Sequence, residues 1–542
     1  MKYILLTGAM IFFYGSIFSQ SVNDALNDIY HERFESAGGK LAGIVEKSPG
    51  DTEAWYWLTQ VLLEKDSVQE AKQELMSAPA DALSSPILKV ALGHIQLMEE
   101  KKTEAMANFE YAIKKTKGKN PSVLHAIARA QMNAKTGDAA YGIQLIDKAL
   151  KRDKNNPNLY VTKGDLYRKL GNGSESYKAY QAALDKDKNH VAALYKIGKI
   201  FTSQNNKEMY LKYFKQAVTI DSLFTPALYD LYYHYYFVDL NEAQRYLTKY
   251  IAASDKSPAH DYMITDLLFA SKRYADAIAN ANKLISANGP TEEPRLLKLV
   301  AYSYKELNAP DSALNYMKEY FATQPDSGFV LKDYEAMGEI YDSLPGYNDS
   351  ASAYYQKALA METDTIKALD YYKKIAAMYH ESRDFDNEAL WLQKYYTKNP
   401  SPRNIDLFNW GIASYKAEDY ATADSVFRMY EVNYPDQTFG YYWAARTNTA
   451  IDSTMEEGLA VPHYEKLVEV AAKDTSDATN RKHLIEAYGY LAAYEANVDK
   501  DIDNSILYFE KLLELDPENE DAKKYVEILK KSLASQESSG DK

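Results

Sequence analysis

The sequence predicts an all-α protein built as an array of helical hairpins, and two observations support this fold class. The chain has 542 residues, more than one hydrophobic core organises, so several domains or a repeat array is expected. Residues 156–190 are also followed in the same register by residues 191–222. Equivalent positions recur at a spacing of 34 residues, in the pairs Tyr160/Leu194, Gly164/Gly198, Tyr167/Phe201, Tyr180/Phe214 and Ala183/Ala217.

The first element, residues 1–19, has the pattern of a secretory signal peptide. Lys2 precedes a short apolar run that ends at the small residue Ser19, and this order is typical of a cleaved export signal. We expect cleavage after Ser19, with Gln20 as the new N-terminus and the protein in the periplasm or outside the cell. An uncleaved anchor is disfavoured because no basic stop-transfer flank follows, so no membrane span is expected after cleavage.

The hairpin array is expected to fill residues 20–516. One position in each second helix can be followed along the chain at spacings of mostly 33 to 38 residues, which gives about fourteen hairpins. This position is occupied by Ile44, Ala78, Ala112, Ala149, Ala183, Ala217, Tyr250, Leu284, Tyr320, Ala358, Tyr395, Tyr430, Leu467 and Leu512. A proline, which cannot continue a helix, then closes several hairpins, as at Pro49, Pro325, Pro400, Pro435 and Pro517.

Three further segments complete the predicted organisation. Residues 286–294 predict a long turn that would accommodate a kink in the array. Residues 517–533 repeat apolar side chains at helical spacing and predict the terminal capping helix that a stacked array needs. Residues 534–542 predict a disordered tail.

These features resemble the tetratricopeptide repeat (TPR) family, whose 34-residue unit has small residues at positions 8, 20 and 27 and aromatic residues near positions 4, 11 and 24. The resemblance extends over nearly all of residues 22–533, and the export signal and tyrosine-rich composition are similar to exported TPR proteins of the Bacteroidetes. It implies a right-handed superhelical solenoid of about fourteen helix-turn-helix repeats with a C-terminal capping helix. It also implies a scaffold that binds a protein or peptide partner in its concave groove, in cell-envelope assembly or secretion.

The segment LYDLYYHYYF, residues 228–237, holds five tyrosines and predicts a helix with two apolar faces. Tyr232 and Tyr235 fall at packing positions of the resembled repeat. The resemblance places a second set of side chains on the groove, running from aromatic to basic residues: Tyr229, Tyr233, Tyr236, Tyr262, Phe269, Arg295, Lys298, Tyr302 and Lys305. The aromatic side chains would bind an extended peptide, and the basic side chains would pair with a carboxylate of that peptide. Alternatively, the rings only pack against adjacent helices, and the sequence leaves both readings open.

An Asp-Ser or Asp-Thr pair followed by a small or aliphatic residue recurs along the chain. It resembles the O-glycosylation signal of exported Bacteroidetes proteins. The alternative is helix capping, for which Asp and Ser are preferred residues. The candidate acceptor residues are Ser67, Ser222, Ser312, Ser343, Ser350, Thr365, Ser425 and Ser453.

Other function classes find little support in the sequence. The net charge of -14 disfavours nucleic acid as a partner, because phosphates would not be neutralised. The absence of cysteine excludes a lipidated cysteine, disulfides and cysteine-based catalysis. No catalytic or phosphate-binding motif occurs, so neither an enzyme nor a cofactor or metal site is expected. A glycan-binding protein of the cell envelope built on TPR-like helices is the alternative function, which the regular repeat spacing and the missing cysteine disfavour.

Overall fold

The computed structural model describes residues 21–323 and 325–540, without the side chains of Asp326 and of residues 536–540. In this part of the chain all regular structure is helical. The helices are α1 (Val22–Tyr30), α2 (Phe34–Lys47), α3 (Thr52–Glu64), α4 (Val68–Met76), α5 (Ala80–Leu83), α6 (Pro86–Met98), α7 (Lys102–Lys115), α8 (Pro121–Asn133), α9 (Ala139–Leu150), α10 (Pro157–Lys169), α11 (Gly173–Lys186), α12 (Val191–Ser203), α13 (Lys207–Ile220), α14 (Thr225–Tyr236), α15 (Leu240–Ala253), α16 (Pro258–Ala270), α17 (Tyr274–Asn288), α18 (Pro294–Glu306), α19 (Pro310–Ala322), α20 (Leu331–Asp342), α21 (Asn348–Met361), α22 (Thr365–Glu381), α23 (Phe385–Lys398), α24 (Asn404–Lys416), α25 (Tyr420–Asn433), α26 (Thr438–Ile451), α27 (Val461–Ala471), α28 (Ala478–Tyr494), α29 (Ile502–Leu515) and α30 (Glu520–Gly540).

The described helices form fourteen successive hairpins, which confirms the predicted fold class and repeat number. Each hairpin pairs a first helix with the helix that follows it, from α1–α2 and α3–α4 through α6–α7 to α28–α29. The four-residue α5 is an addition between the second and third hairpins, and α30 packs on α29 at the end of the array.

A glycine facing an aromatic ring explains why the sequence repeats as it does. Gly198 on the first helix of its hairpin faces Phe214 on the second, so close that a Cβ there would lie 2.5 Å from the ring. Gly164 faces Tyr180 in the same way, with a corresponding distance of 2.3 Å. Only the missing side chain lets each pair of helices approach so closely, which is why both positions recur in the same register.

The turn inside many hairpins contains a residue with a left-handed backbone conformation. Gly171 has a φ of 72°, and the amide of the following residue, Asn172, donates to the carbonyl of Tyr167 at 2.9 Å. This bond closes the C-terminus of α10 while the Asn172 side chain caps the start of α11. Asn205 has the same left-handed conformation, with a φ of 53°. The turn is therefore set by local backbone geometry that recurs with the repeat.

The described chain divides into two compact units, unit 1 (residues 21–284) and unit 2 (residues 285–540). The division falls within α17, just before the predicted long turn at 286–294, and α18 begins at Pro294. The last helix continues to Gly540, beyond residue 533, where the sequence analysis placed the start of a tail. The predicted signal peptide at 1–19 and the last two residues, 541–542, lie outside the described residues.

Candidate functional site

The aromatic residues of α14 divide between a buried face and an exposed face. Tyr232 is 6% exposed and packs in the core of unit 1, as predicted. Tyr229 and Tyr233, one helical turn apart, are 42% and 57% exposed, and Phe237 at the end of the helix is 69% exposed. The helix therefore presents large rings to solvent along one side, in addition to the side that holds it in the array.

The rings of Tyr233 and the half-buried Tyr236 both contact Phe237, and the ring of Tyr229 lies one helical turn before Tyr233. The ring centroids of Tyr233 and Phe237 lie 5.3 Å apart, and those of Tyr236 and Phe237 lie 5.1 Å apart. Tyr229 contacts Tyr250 on α15 at 5.5 Å. These separations are typical of favourable aromatic pairs. We name the surface of Tyr229, Tyr233, Tyr236 and Phe237 the α14 strip.

The packing position of Tyr235 is only partly enclosed. Its ring is half-buried and stacks on Tyr246 of α15, with centroids 5.5 Å apart and planes 11° from parallel. Lys215 on α13 lies over the same ring at 5.5 Å. Tyr235 thus joins α13, α14 and α15.

The two aromatic residues predicted on α16 are less exposed than Tyr229, Tyr233 and Phe237. Tyr262 and Phe269 are half-buried. The hydroxyl of Tyr236 donates to the backbone carbonyl of Asp266 at 3.4 Å, which connects α14 with α16. Phe269 contacts the ring of Tyr274 at 5.6 Å. The structure therefore connects α14 with α16 through Tyr236, within unit 1.

The predicted basic residues belong to α18 in unit 2, where the two lysines have partners within the protein. Lys298 donates to Asp333 at 3.0 Å, and Lys305 pairs with Glu339. Burial disfavours the charge on Lys298, but the hydrogen bond and charge of Asp333 outweigh it and raise the pKa of Lys298. Tyr302 is half-buried, and burial, together with the charge of Asp333, raises the pKa of Tyr302. Arg295 is exposed. The two lysines of the expected basic strip are thus already paired with carboxylates of α20.

A cleft of about 550 Å³ in unit 2 was not predicted from the sequence. It lies between α22, α23 and α24. At its wall, Glu388 accepts a hydrogen bond from His380 at 2.9 Å. Its charged and apolar side chains alternate, and the cleft is lined by Lys373, Ala376, Ala377, His380, Glu381, Glu388, Leu392, Tyr395, Arg403, Ile405, Asp406, Asn409, Ile412 and Lys416. The cleft could not be predicted from the sequence because its lining residues come from three helices and follow no motif.

Among the residues that the structure describes, histidine and carboxylate side chains nowhere come together in a group of three or more suited to a metal ion. Within residues 21–323 and 325–540, no helix combines the length and the apolar character needed to cross a bilayer.

The candidate O-glycosylation residues are all accessible to some degree, although their local settings differ. Ser222, Ser343, Thr365, Ser425 and Ser453 are exposed, and Ser67, Ser312 and Ser350 are intermediate. Two of them also serve local structure: the hydroxyl of Ser343 donates to the carbonyl of Ile340 at 2.7 Å, and Ser425 lies inside α25 with its hydroxyl donating to the carbonyl of Ala421. Glycosylation at these residues stays a prediction.

Comparisons with known proteins are consistent with this architecture. Family models described as tetratricopeptide repeat match residues 161–222 and 499–519. The C-terminal part of a TPR repeat-containing protein from Cytophaga hutchinsonii is 30% identical, over 49% of this chain and 99% of that one, with a TM-score of 0.31. A tetratricopeptide repeat protein from Parabacteroides merdae is 17% identical over 46% of this chain and 96% of its own, with a TM-score of 0.31. YrrB, a TPR protein with an unusual peptide-binding site, is 17% identical over 35% of this chain and 96% of its own, with a TM-score of 0.23. A search of curated proteins found no match.

Proposed function

The chain belongs to the tetratricopeptide repeat family, and on that premise we propose that it is an exported scaffold whose α14 strip binds a protein or peptide partner. The family supports the general role of a protein–protein interaction scaffold. Export, action in the cell envelope and the choice of the α14 strip are our proposals.

The exposure of the strip is the observation that carries the proposal. Tyr233 and Phe237 are more than half exposed, although a connected apolar surface is costly to leave in water and marks interaction sites in soluble proteins. Tyrosine suits such a surface because its ring buries a large area while its hydroxyl can keep a hydrogen bond. Tyrosine is also enriched among the residues that dominate interface energies.

The pairing of two lysines within the protein supports one chemistry for the partner. Because Lys298 and Lys305 are paired with Asp333 and Glu339, they are poorly placed to be the main anchor for a carboxylate. We therefore propose that apolar and aromatic side chains of the partner provide most of the binding energy, with hydrogen bonds to tyrosine hydroxyls fixing its position. Binding should then depend only weakly on salt, in contrast to a complex held by surface ion pairs.

A crosslinking purification from the native cell envelope, followed by binding measurements with the purified partner, tests the proposal. Tyr233→Ala should weaken binding by about 2 kcal/mol or more, the scale of an interface hot spot. This is roughly a thirty-fold rise in Kd. Its melting temperature should change little because the ring is 57% exposed.

Tyr232→Ala is the matched control, since it removes the same ring from the buried face of the same helix. It should lower stability by roughly 3 kcal/mol. If Tyr233→Ala destabilises the protein as much as Tyr232→Ala and leaves the Kd unchanged, the strip is a packing feature and the proposal is wrong.

A further inference from the structure

The turn between α1 and α2 contacts a distant part of unit 1. Helices of a repeat array normally contact only the neighbouring repeats. Here His31, in the first hairpin, lies 2.8 Å from Asp221, which follows the second helix of the sixth hairpin. The two residues are 190 positions apart in the chain. The contact therefore joins the start of the array to its sixth and seventh hairpins.

The start of α2 is capped by a residue from the seventh hairpin. The first amides of a helix have no partner within the helix, and Arg33 at the N-cap of α2 provides no side-chain hydrogen bond. Asp255, just after α15, accepts from the amides of Glu35 and Ser36 at 2.8 and 3.2 Å and also pairs with the hydroxyl of Ser36. A carboxylate is favoured at this end of a helix by the helix dipole.

The start of α14 is held by the same turn. Thr225, the first residue of α14, donates its hydroxyl to the backbone carbonyl of His31. The other ring nitrogen of His31 faces the carbonyl of Asn27 at 2.7 Å, which fixes the orientation of the imidazole. His31 and Thr225 are both buried, at 5% and 3% exposure. These bonds are thus shielded from water, unlike an incidental surface contact.

An aromatic contact completes the junction. Tyr30 lies against Phe224 with ring centroids 5.2 Å apart, and Phe224 is only 3% exposed. Phe224 immediately precedes α14, the helix that carries the α14 strip. Withdrawal of the α1–α2 turn would remove a covering ring from Phe224 and so expose an apolar side chain at the start of this helix.

We propose that the α1–α2 turn is a latch that closes unit 1 onto its own sixth and seventh hairpins and covers the apolar residue that precedes α14. The existence of the latch does not depend on the proposed function, because its contacts are internal. An effect of the latch on partner binding does depend on the proposed function, and the test therefore uses no partner.

Because the chain has no cysteine, one engineered pair can both detect and control the latch. In the full-length protein with Ser36→Cys and Asp255→Cys, the two thiols replace groups that are in contact. We expect an intramolecular disulfide to form under mild oxidation. Hydrogen exchange in residues 30–36 and 221–225 should then be slow in the oxidised protein. It should rise about ten-fold or more in both segments on reduction, which leaves α2 without its cap.

The result for each segment decides the proposal. Thiols that stay free, or that link only different molecules, would show that the turn does not close on its own chain. Faster exchange in residues 30–36 alone would show that the turn frays without uncovering residues 221–225, and this result would contradict the proposed latch. Glu242→Gln serves as the control, because Glu242 lies on α15 with its side chain about one-third exposed and pairs with Arg245 on the same helix; it should leave exchange in both segments unchanged. His31→Ala, which breaks the latch without a thiol, should reproduce the effect of reduction.

Discussion

At the scale of single residues, the close approach of two helices depends on a missing side chain. The same arrangement of a first-helix glycine against a second-helix ring occurs in both units, at Gly93/Phe109, Gly164/Tyr180, Gly198/Phe214, Gly338/Tyr355 and Gly411/Phe427. In each pair an added Cβ would lie within 2.8 Å of a ring atom. Such overlap forces a ring or a helix to move.

Gly198→Ala should therefore destabilise unit 1. Its Cβ would meet Phe214 at 2.5 Å, and overpacking of this kind costs about 1–3 kcal/mol. Gly39→Ala is the control: Gly39 also lies inside a helix but has no atom within 4 Å of an added Cβ, so alanine should stabilise by up to about 1 kcal/mol. Urea unfolding of both variants measures the difference. Stabilisation of both variants by the same amount would show that helix propensity, and not packing, governs Gly198.

Acid should weaken unit 1 through a buried histidine. His94 is 2% exposed and donates to Gln60 at 2.9 Å, and burial lowers the pKa of His94 to about 3. In the unfolded chain its pKa is about 6.5. The folded state thus binds fewer protons, so its stability is complete above pH 6.5 and falls as the pH drops from 6.5 towards 3.

His94→Gln should remove this part of the pH dependence. Between pH 7 and pH 5 the wild-type protein should lose roughly 2 kcal/mol more than the variant, from about 1.4 kcal/mol per pH unit below 6.5. Urea unfolding at the two pH values is the measurement. An unchanged loss in the variant would mean that His94 can be protonated without unfolding.

At the scale of elements, the carboxylate of Asp333 ties α18 to α20. Asp333 is 1% exposed and accepts hydrogen bonds from Lys298, from the hydroxyl of Tyr320 and from the amide of Val330, each at 3.0 Å. A buried carboxylate is tolerated only where donors compensate for lost water. Lys298, which the sequence predicted to bind a ligand, thus stabilises the buried carboxylate of Asp333.

Lys298→Met should consequently lower stability, by about 1–3 kcal/mol, because it leaves Asp333 buried with fewer donors. Lys305→Met is a matched comparison on the same helix. Lys305 and its partner Glu339 are each about one-third exposed, so its loss should cost no more than about 1 kcal/mol. Thermal unfolding distinguishes the two. Similar melting temperatures for both variants would contradict the structural role of Lys298.

At the scale of the whole molecule, the export proposal makes a prediction about the N-terminus. Protein recovered from cells should begin at Gln20, because the signal peptidase is expected to cut after Ser19. N-terminal peptide mass spectrometry of the soluble and envelope fractions measures this directly. Recovery of an intact Met1 from the soluble fraction would rule out the proposed signal peptide and, with it, export by this route.

The sequence by itself determined the fold and the helix-packing residues. The 34-residue spacing that pairs Gly164 with Gly198 and Tyr180 with Phe214 directly reports contacts inside one hairpin. Local turn geometry then carries the chain from one hairpin to the next. Because these contacts are short in sequence and repeat along the chain, they leave a periodic signal. The buried role of Tyr232 and the exposed role of Tyr233 could be assigned for the same reason.

Only the tertiary structure decided which side chains meet across distant repeats. The contact of His31 with Asp221 and the capping of α2 by Asp255 each occur once, so no repeating sequence pattern predicts them. The pairing of Lys298 with Asp333 was likewise hidden, because the sequence shows a charge but not the carboxylate facing it. Such contacts depend on small rotations summed over several hairpins. A one-residue change in a single turn would redirect them without altering the repeat pattern.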